Sequence, residues 1–509
     1  MTSHPNVLLI LTDEHAPDAA GFAGNPHVRT QHLDALAEGA VQFNSASCAS
    51  PICTPSRMCM LTGKEAHRCA AWNNHWVLFP EHRTWPAHFA EHGYRTCLVG
   101  KMHFGGKNQM NGFQLRPYGD LRHGLGHQPE PLDLFPGYHH VESAGVTEIP
   151  ESLHQDVVVT RETLAFVREQ SDREPDVPWF ACASYGRPHS PLTAPGRYIR
   201  RYRDKVPPAE WGDPDRLEPY ARRLFDRGGE RFTPEQRLRG REGYYACVDY
   251  VDDLIGELLD GLDADGLLEN TIVIYTSDHG EMAGLYGLWG KAVYYRPSMG
   301  VPLLMRGPGM RAGHHEIAHP ISLMDLYPTT CALAGLPVPE GLDGVDFSPV
   351  LAHPETAPSP RAYAPSAYYA YGVRINYNRT AEDAPCAAWR AVRDGRWKYV
   401  EVEKGEPLLF DLGDDPGETT NLAGRPEHAA RCAEMKEALF KGFAWEQVHA
   451  QLAADRDRLP AFFSGIKPTT PNQYVFEDGR VFDAEAELYG ARWLRIPEGV
   501  GSIIPQMFG

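Results

Sequence analysis

The sequence lacks long apolar runs, regularly spaced cysteines and an excess of positive charge. Its first apolar run, residues 7–11, is too short to cross a membrane, and Asp13 and Glu14 follow it too closely for the apolar region of a signal peptide. A net charge of −18 disfavours nucleic acids and anionic membranes as partners, because both attract basic proteins. The ten cysteines are scattered, so we expect no disulfide framework and a cytoplasmic location.

What the chain does contain is typical of a large globular α/β protein. It has 509 residues, of which 42% are hydrophobic and 23% charged, so it can bury a large core. Strand-like runs alternate with helical patterns, which predicts a large, mostly parallel central sheet with helices on both faces. The strand-like runs are residues 7–12, 94–99, 179–184, 271–276 and 301–305. The helical patterns are residues 31–38, 85–92, 152–169, 236–262 and 323–334.

The second half of the chain predicts a smaller unit after this main domain. A stretch rich in Pro and Gly begins at residue 336, so we place the main domain at residues 1–355. Short strand patterns, two of them joined by an Asp-Gly turn, and one helical pattern predict a C-terminal α+β subdomain over residues 356–450. These strands are residues 387–393, 396–401 and 408–412, and the helix is residues 429–441.

The end of the sequence has aromatic and apolar residues without clear periodicity. We interpret residues 451–509 as a C-terminal arm that is extended from Pro460 onward. Such an arm can pack on the body of the protein or on a neighbouring subunit. Because symmetric assemblies are common, we expect a homo-oligomer.

The string Cys-Thr-Pro-Ser-Arg at residues 53–57 is the most informative motif in the chain. A cysteine thiolate is ordinarily a nucleophile or a metal ligand. The alternative is that Cys53 is one more buried thiol, since free cysteine is among the most buried residue types. Arg57 lies close to Cys53 in sequence and could hold the reactive group in position. The choice between these interpretations depends on the companion residues.

Two acidic strings follow predicted strands. Asp13 and Glu14 come after the first strand, and Asp278 and His279 come after a later one. Hard divalent cations prefer oxygen ligands, and carboxylates at adjacent strand ends can converge on one cation. Either pair alone could be a helix cap or a solvated acidic turn. Together, with Cys53 between them in the chain and available as a further ligand, they predict a metal site.

Basic residues form a second group. A tetrahedral anion undergoing displacement builds charge on its oxygens, and donors already oriented in a cleft stabilise that charge. A few cations in a cleft can attract a small anionic substrate even when the net charge is negative. Taken singly, each residue could be a solvated surface residue. The group consists of Arg57, Lys101, His103, His189 and Lys291.

These strings, in this order across residues 7–305, resemble the signature of the formylglycine-dependent sulfatases of the alkaline phosphatase superfamily. The resemblance implies an alkaline-phosphatase-like α/β sandwich with a four-stranded antiparallel sheet in the smaller C-terminal subdomain. It also implies that a formylglycine-generating enzyme oxidises Cys53 to formylglycine, whose hydrate attacks the ester and forms a covalent intermediate. One divalent ion, Ca²⁺ or Mn²⁺, would be bound by Asp13, Glu14, Asp278 and His279.

The same resemblance implies a role for each basic residue. Arg57 would orient the formylglycine, and Lys101 and His103 would form a pair beside it. His103 would assist the breakdown of the hydrate. Lys291, the sulfate-binding lysine, and His189, on the side of the leaving group, would contact the ester oxygen as general-acid groups.

Two positions differ from much of the family. Glu14 stands where many sulfatases have a second Asp, and His279 stands where well-known arylsulfatases have Asn. Both residues can still coordinate a metal, but an imidazole nitrogen suits Mn²⁺ or Zn²⁺ better than Ca²⁺. The resemblance therefore predicts a metal more firmly than it predicts which metal.

The expected function is hydrolysis of a small organic sulfate ester by cleavage of its S–O bond. An alternative is hydrolysis of phosphonate monoesters or phosphodiesters at the same site, since a fold does not choose between sulfur and phosphorus. A third interpretation is a non-catalytic protein with the sulfatase fold, in which Cys53 stays a thiol. None of the residues of the site is missing from the sequence, which argues against this third interpretation.

The substrate is only weakly indicated. The strings Gly-Lys-Met-His-Phe and Gln-Met-Asn-Gly-Phe look most like the choline-sulfatase branch. A quaternary ammonium needs aromatic walls, which Trp72, Trp76 and Tyr294 or Tyr295 could supply, although ordinary core positions also explain these aromatics. Arg296 would repel a cationic substrate if it lined the pocket.

Overall fold

Strands and helices alternate along most of the chain. The computed structural model describes residues 4–74, 76–105, 108–118, 141, 144–147, 150–209, 217–222, 232–369, 388–463, 473–475 and 481–483. The strands are β1 (Asn6–Asp13), β2 (Val41–Phe43), β3 (Ala46–Ser47), β4 (Arg95–Gly100), β5 (Leu115–Tyr118), β6 (Gly145–Val146), β7 (Trp179–Pro188), β8 (Thr193–Ala194), β9 (Thr271–Ser277), β10 (Leu303–Arg306), β11 (His315–Ile317), β12 (Ile321–Ser322), β13 (Ala364–Tyr369), β14 (Ala388–Arg393), β15 (Trp397–Val402), β16 (Leu408–Asp411), β17 (Gln473–Val475) and β18 (Val481–Asp483). The α-helices are α1 (Gln31–Glu38), α2 (Cys53–Thr62), α3 (Trp85–Glu91), α4 (Gln155–Arg173), α5 (Gly196–Tyr202), α6 (Pro234–Ala264), α7 (Arg296–Met299), α8 (Leu326–Leu333), α9 (Ser348–Ala352), α10 (Ala429–Phe440), α11 (Trp445–Arg458) and α12 (Pro460–Phe463).

An eight-stranded sheet with the strand order β11-β2-β10-β9-β1-β7-β4-β5 forms the centre of the described chain. The apolar strand β1 pairs in parallel with β7 on one side and with β9 on the other. The pairs from β9 to β5 are all parallel, whereas β10 runs antiparallel to β9 and β2. The predicted, mostly parallel sheet is therefore confirmed. The carboxyl ends of β1, β4, β7 and β9 meet at one edge, where open α/β sheets bind ligands.

Alternate residues of β1 enter two separate cores, because successive side chains of a strand point to opposite faces. Leu8 and Ile10 belong to a core that includes residues of α1, α4 and α6. Leu9 and Leu11 belong to a core that includes residues of α2, α3 and α8. Helices thus cover both faces of the sheet, as the sequence predicts.

The predicted strands and helices of the main sheet are all present, with shifts at their ends. The largest change to a strand is in β7, which continues from the predicted end at residue 184 to Pro188. This extension brings His189 to the edge of the sheet where the other strands end. Residues 323–334, predicted as one helix, form a 3-10 turn at Leu323–Asp325 followed by α8.

The sequence patterns do not predict α2, which begins at Cys53. Every residue of α2 is buried, including Arg57, so the helix has no polar face to produce a periodic pattern. Pro55 lies in the first turn, where its missing N–H costs no hydrogen bond. The helix ends at Gly63, whose φ of 64° is the left-handed conformation common at helix ends.

A four-stranded antiparallel sheet with the order β13-β14-β15-β16 confirms the predicted C-terminal sheet. The Asp-Gly turn joins β14 and β15, and the N–H of Asp394 donates to the carbonyl of Trp397 at 3.0 Å. One face of this sheet packs on α10. The other face packs on the loop of residues 282–295, where Trp389 Nε1 donates to the carbonyl of Ala292 at 3.2 Å.

Most of the predicted arm lies outside the described residues, namely 464–472, 476–480 and 484–509. The arm, its role in a homo-oligomer and the domain boundaries at residues 355 and 450 therefore stay predictions. In the described part of the chain, no helix combines the length and the apolar character needed to cross a bilayer.

The C-terminal helix α11 supports a buried loop next to α2. Trp72 in this loop is buried, and its Nε1 donates to Asp455 Oδ2 at 2.9 Å. Val448 and Leu452 of α11 pack in the same core as Trp72 and Met58 of α2. A buried carboxylate therefore connects the C-terminal helix to the surroundings of the motif at residues 53–57.

Asp455→Ala should lower the free energy of unfolding by about 1–3 kcal/mol, because the buried indole N–H of Trp72 would lose its acceptor. Asp457→Ala is the matched control, since Asp457 is an exposed carboxylate on the same helix, and we expect a change below about 0.5 kcal/mol. Urea unfolding followed by fluorescence measures both values. Equal effects of the two substitutions would show that the Trp72 contact does not stabilise the fold.

Candidate active site

The two acidic strings converge because their strands are neighbours in the sheet. β1 ends at Asp13, and Asp278 follows β9 directly. The parallel register pairs Thr12 with Ser277, so the next residue of each strand lies at the same edge. Asp278 Oδ1 accepts the backbone N–H of Glu14 at 3.1 Å and that of His279 at 2.9 Å. This network fixes the two acidic segments relative to one another.

Cys53 lies at the first position of α2, directly beside these carboxylates. Its Sγ is 3.8 Å from Asp13 Oδ1 and 3.3 Å from His279 Nε2. It is also 3.4 Å from Lys291 Nζ. The N-terminal end of a helix carries partial positive charge, which favours an anion at this position.

Arg57 connects the acidic groups from within the core. It lies one helical turn after Cys53, so both side chains are on the same side of α2. Its Nη2 donates to Asp13 Oδ2 and its Nε donates to Asp278 Oδ2, each at 2.8 Å. All three side chains have no exposed surface, so the guanidinium and the carboxylates form a fully buried ion triad.

The other basic residues approach Asp13 and Glu14 from the remaining sides. Lys101 follows β4, and its Nζ lies 2.7 Å from Asp13 Oδ2. Lys291 Nζ lies 3.1 Å from Glu14 Oε2. His189 Nε2 lies 3.4 Å from the same oxygen, while its Nδ1 faces the carbonyl of Ser190 at 2.7 Å. His189 and Lys291 keep 20% and 14% of their side chains exposed, so they mark the open side of the group.

His103 joins this group through its backbone. Its carbonyl accepts the hydroxyl hydrogen of Thr54 at 2.9 Å, and Thr54 is the second residue of α2. His103 is buried and has a φ of 56°, an uncommon conformation for a residue other than glycine. Side-chain contacts thus connect nine of the ten residues predicted from the sequence, and His103 adjoins them through its backbone contact with the start of α2.

Opposing effects determine the pKa values of Asp13 and Cys53. Burial alone would raise the pKa of Asp13, but Lys101 and the other nearby cations hold it well below its ordinary value. Burial and Asp13 would raise the pKa of the Cys53 thiol. The charges of Lys291, Lys101 and His279 act in the opposite direction, and the net effect is a lowered pKa. The site therefore stabilises negative charge at the position of Cys53.

The pKa values of His279 and His189 are shifted in opposite directions. Burial and the charge of Lys291 lower the pKa of His279, but the carboxylate of Asp278 and the sulfur of Cys53 together raise it to about 9. Burial and the charges of Lys101 and Lys291 lower the pKa of His189 well below its ordinary value, so its imidazole is neutral at pH 7. Because histidine binds a metal as neutral imidazole, metal binding at His279 would release its proton.

The donor atoms in this group fit a divalent cation. Asp13, Cys53, Asp278 and His279 each place one ligand atom within 4.8 Å of the others, and all four are buried. A second set with the same spacing consists of Asp13, Glu14 and His189. Carboxylate oxygens with one imidazole nitrogen suit Ca²⁺ or Mn²⁺, and the nitrogen favours Mn²⁺.

Ser184, at the sheet edge in β7, is one residue that the sequence analysis did not select. Its Oγ accepts the Arg57 Nη1 hydrogen at 2.9 Å and donates to the carbonyl of Lys101. It therefore holds the guanidinium and the backbone of β4 together. Ser184 could have been found in the sequence as a polar residue within a buried apolar strand.

Glu281 is a second such residue, although it ends the string Asp-His-Gly-Glu. Its Oε1 accepts the backbone N–H of Ala283 at 2.9 Å and that of Gly290 at 2.6 Å, which closes the loop before Lys291. Burial and the neighbouring Glu14 carboxylate raise the pKa of Glu281 well above its ordinary value. Glu281 could have been found in the sequence because it lies only two residues after His279.

The four aromatic residues that could have formed a choline pocket are buried in hydrophobic cores. Ordinary core positions are the alternative explanation that the sequence analysis gave for them. Arg296 Nη1 donates to Asp18 Oδ2 at 2.6 Å. These two residues line a cavity of about 340 Å³, and residues of β2 and β10 form other parts of its wall. The buried aromatic residues are Trp72, Trp76, Tyr294 and Tyr295.

Comparison with known families gives two matches. The Sulfatase family model matches residues 5–336, more than half of the chain. The model of the C-terminal part of N-sulphoglucosamine sulphohydrolase matches residues 284–443, which include the antiparallel sheet. Choline-sulfatase of Rhizobium meliloti (strain 1021) is 31% identical over 446 residues, which cover 84% of this chain and 83% of that relative.

Two solved structures have the same fold. The phosphonate monoester hydrolase of Agrobacterium radiobacter has a TM-score of 0.72 at 23% identity and covers 94% of this chain and 99% of its own. A protein in complex with its substrate D-glucosamine-2-N,6-O-disulfate has a TM-score of 0.69 at 21% identity and covers 88% and 98%. At these identities the likeness supports the fold alone. From the family match and the choline-sulfatase identity, we conclude that this chain belongs to the sulfatase family and is a sulfuric ester hydrolase.

Proposed function

We propose that the protein cleaves the S–O bond of a small organic sulfate ester, with Cys53, oxidised to formylglycine, as the nucleophile. The observation that carries this proposal is the position of Cys53 Sγ, which is within 3.3–3.8 Å of His279, Lys291 and Asp13. An oxygen on the same carbon atom would lie between the carboxylates and the cations. A geminal diol there has one oxygen for attack and a second whose deprotonation releases the product anion.

The basic residues surround the place where charge develops. We propose that Lys101 and Lys291 bind the anionic oxygens of the ester, because both ammonium groups already point at the acidic group beside Cys53. His189, on the open side, contacts the ester oxygen of the leaving group. Donors that are oriented before the reaction stabilise transition-state charge without reorganising. Arg57 orients the nucleophile through the carboxylates, and His103 assists the breakdown of the hydrate.

Asp13, Glu14, Asp278 and His279 are the proposed ligands of the metal, for which the donor set favours Mn²⁺ over Ca²⁺. A divalent cation supplies positive charge that lowers the pKa of a nearby hydroxyl and offsets charge on the ester. Arg57 balances the negative charge of Asp13 and Asp278 from the opposite side.

The formylglycine-generating enzyme has to act on Cys53 before the chain folds. Cys53 is 1% exposed, and the whole of α2 is buried. An enzyme that oxidises a cysteine has to reach its side chain, which the folded protein does not present. We therefore propose that maturation precedes the packing of α2.

The oxidation of Cys53 is testable by mass spectrometry of the peptide that contains it. In protein from the native host we expect the mass of an aldehyde in place of a thiol. Cys53→Ala should reduce kcat by more than about a thousandfold, since the nucleophile is lost. Cys59→Ala is the matched control, because Cys59 is a buried thiol on the same helix and outside the site; we expect its kcat to be unchanged. An unmodified thiol together with full turnover would contradict the mechanism.

A panel of aryl esters separates the sulfatase proposal from its main alternative. We expect kcat/KM to be highest for the sulfate monoester, and lower for the phosphonate monoester and the phosphodiester, under identical metal and buffer conditions. A much larger kcat/KM on either phosphorus ester would assign the site to that chemistry. Loss of both activities in Cys53→Ala would confirm that one site catalyses them.

The metal assignment predicts a linked loss of metal and activity. Asp278→Asn should lower bound metal and kcat together, because a neutral amide attracts a divalent cation less than a carboxylate does. Elemental analysis after dialysis measures the metal content. Asp325→Asn is the matched control, since Asp325 is equally buried and accepts backbone N–H groups outside the site. Unchanged metal content in Asp278→Asn would exclude Asp278 as a ligand.

A further inference from the structure

The backbone of Glu14 has a conformation that an L-residue rarely adopts. Its φ is 69°, in the left-handed region, where the side chain crowds the backbone of any residue except glycine. Such a conformation persists when its surroundings hold it in place. On the side of β9, two contacts do so: Asp278 Oδ1 accepts the N–H of Glu14 at 3.1 Å, and Ser277 Oγ accepts the N–H of His15 at 2.8 Å.

On the other side, the hydroxyl group of Tyr244 contacts the same turn at two backbone atoms. Tyr244, on the long helix α6, is buried, and its hydroxyl donates to the carbonyl of Glu14 at 2.9 Å. The same oxygen accepts the N–H of Ala16 at 2.8 Å. One atom thus connects residues 14 and 16 and closes the turn from outside. The ring packs in the core beside β1, so the hydroxyl has a fixed position.

The direction of the Glu14 carboxylate depends on this turn. Its Oε2 lies 3.1 Å from Lys291 Nζ and 3.4 Å from His189 Nε2, and its neighbour Asp13 contacts Cys53. A change of φ at residue 14 would rotate the carboxylate away from this group. The same change of φ would separate the side chains of residues 13 and 14, which now lie in the same site.

We propose that Tyr244 is a positioning residue for the metal site: its hydroxyl holds Glu14 in the left-handed conformation that directs the carboxylate to the ion. This inference rests on the proposed role of Glu14 as a ligand. Removing the hydroxyl would leave a buried carbonyl and a buried N–H without that partner, which is costly in the folded state. The turn would relax toward an ordinary conformation, and the ligand would move.

The test is Tyr244→Phe, which deletes one oxygen atom and keeps the ring in the core. The readout is the dissociation constant for Mn²⁺, measured by calorimetric titration of the full chain after treatment with a chelator. We expect binding to weaken by about tenfold or more, the size of effect that groups supporting metal ligands have. Turnover is not needed for this measurement.

Tyr245→Phe is the matched control. Tyr245 is the next residue of α6, and its hydroxyl accepts from Arg241 Nη2 at 3.1 Å and from Asn25 Nδ2 at 3.3 Å. This substitution also removes a hydroxyl with two partners, but none of them belongs to the metal site. We expect its Mn²⁺ affinity to equal that of the wild type. Equal weakening in both variants would indicate general destabilisation and overturn the proposal.

A double substitution tests whether Tyr244 acts through the side chain of Glu14. Glu14→Ala removes the carboxylate, so adding Tyr244→Phe to it should weaken Mn²⁺ binding by less than about twofold. Full additivity of the two effects would overturn the proposal, as would wild-type affinity in Tyr244→Phe. Wild-type protein that binds Mn²⁺ but hydrolyses no sulfate ester would contradict the proposed function and leave the positioning result intact. Wild-type protein that binds no Mn²⁺ would overturn both.

Discussion

The buried guanidinium of Arg57 is the interaction on which the site depends. It bonds to Asp13 and Asp278, which end two neighbouring strands and would otherwise repel one another in the core. Burying several charges is unfavourable unless they are paired and hydrogen-bonded, and here each member of the triad has partners. The helix that carries Arg57 also begins with Cys53, so the same element that balances the carboxylates sets the position of Cys53.

This arrangement divides the charges of the site into two layers. Arg57 lies behind the carboxylates and has no exposed surface, whereas Lys291 and His189 lie in front and retain some exposure. The inner charge of Arg57 serves the structure of the site, whereas the ammonium group of Lys291 and the neutral imidazole of His189 are available to an anion that enters. This division explains how a protein with a net charge of −18 can present a locally positive site to an anionic ester.

Much of the fold and of the site was predictable from the sequence, for identifiable reasons. β1 and β9 each contain a continuous apolar run, and an acidic residue ends β1 and follows β9, so both the strands and their converging carboxylates could be inferred. The helix α2 could not, because burial on all sides leaves no periodic pattern. Ser184, Glu281 and Tyr244 also escaped prediction. Each acts through contacts with residues far away in the sequence or with the backbone of a loop, and only the folded chain shows these contacts.

The loop that carries Lys291 packs between two separate sheets. Gly280, at its start, follows Asp278 and His279 after the end of β9, while Ala292 accepts a hydrogen bond from Trp389 of the antiparallel sheet. The helix α2, which begins at Cys53, also contacts the antiparallel sheet, because Met58 and Cys59 pack in the same core as Ala367 and Ala388. Substitutions in the antiparallel sheet can therefore affect the position of Lys291 and the position of Cys53 at the same time. The small C-terminal sheet is thus a common support for the two elements that flank the Cys53 sulfur, although none of its strands belongs to the main sheet.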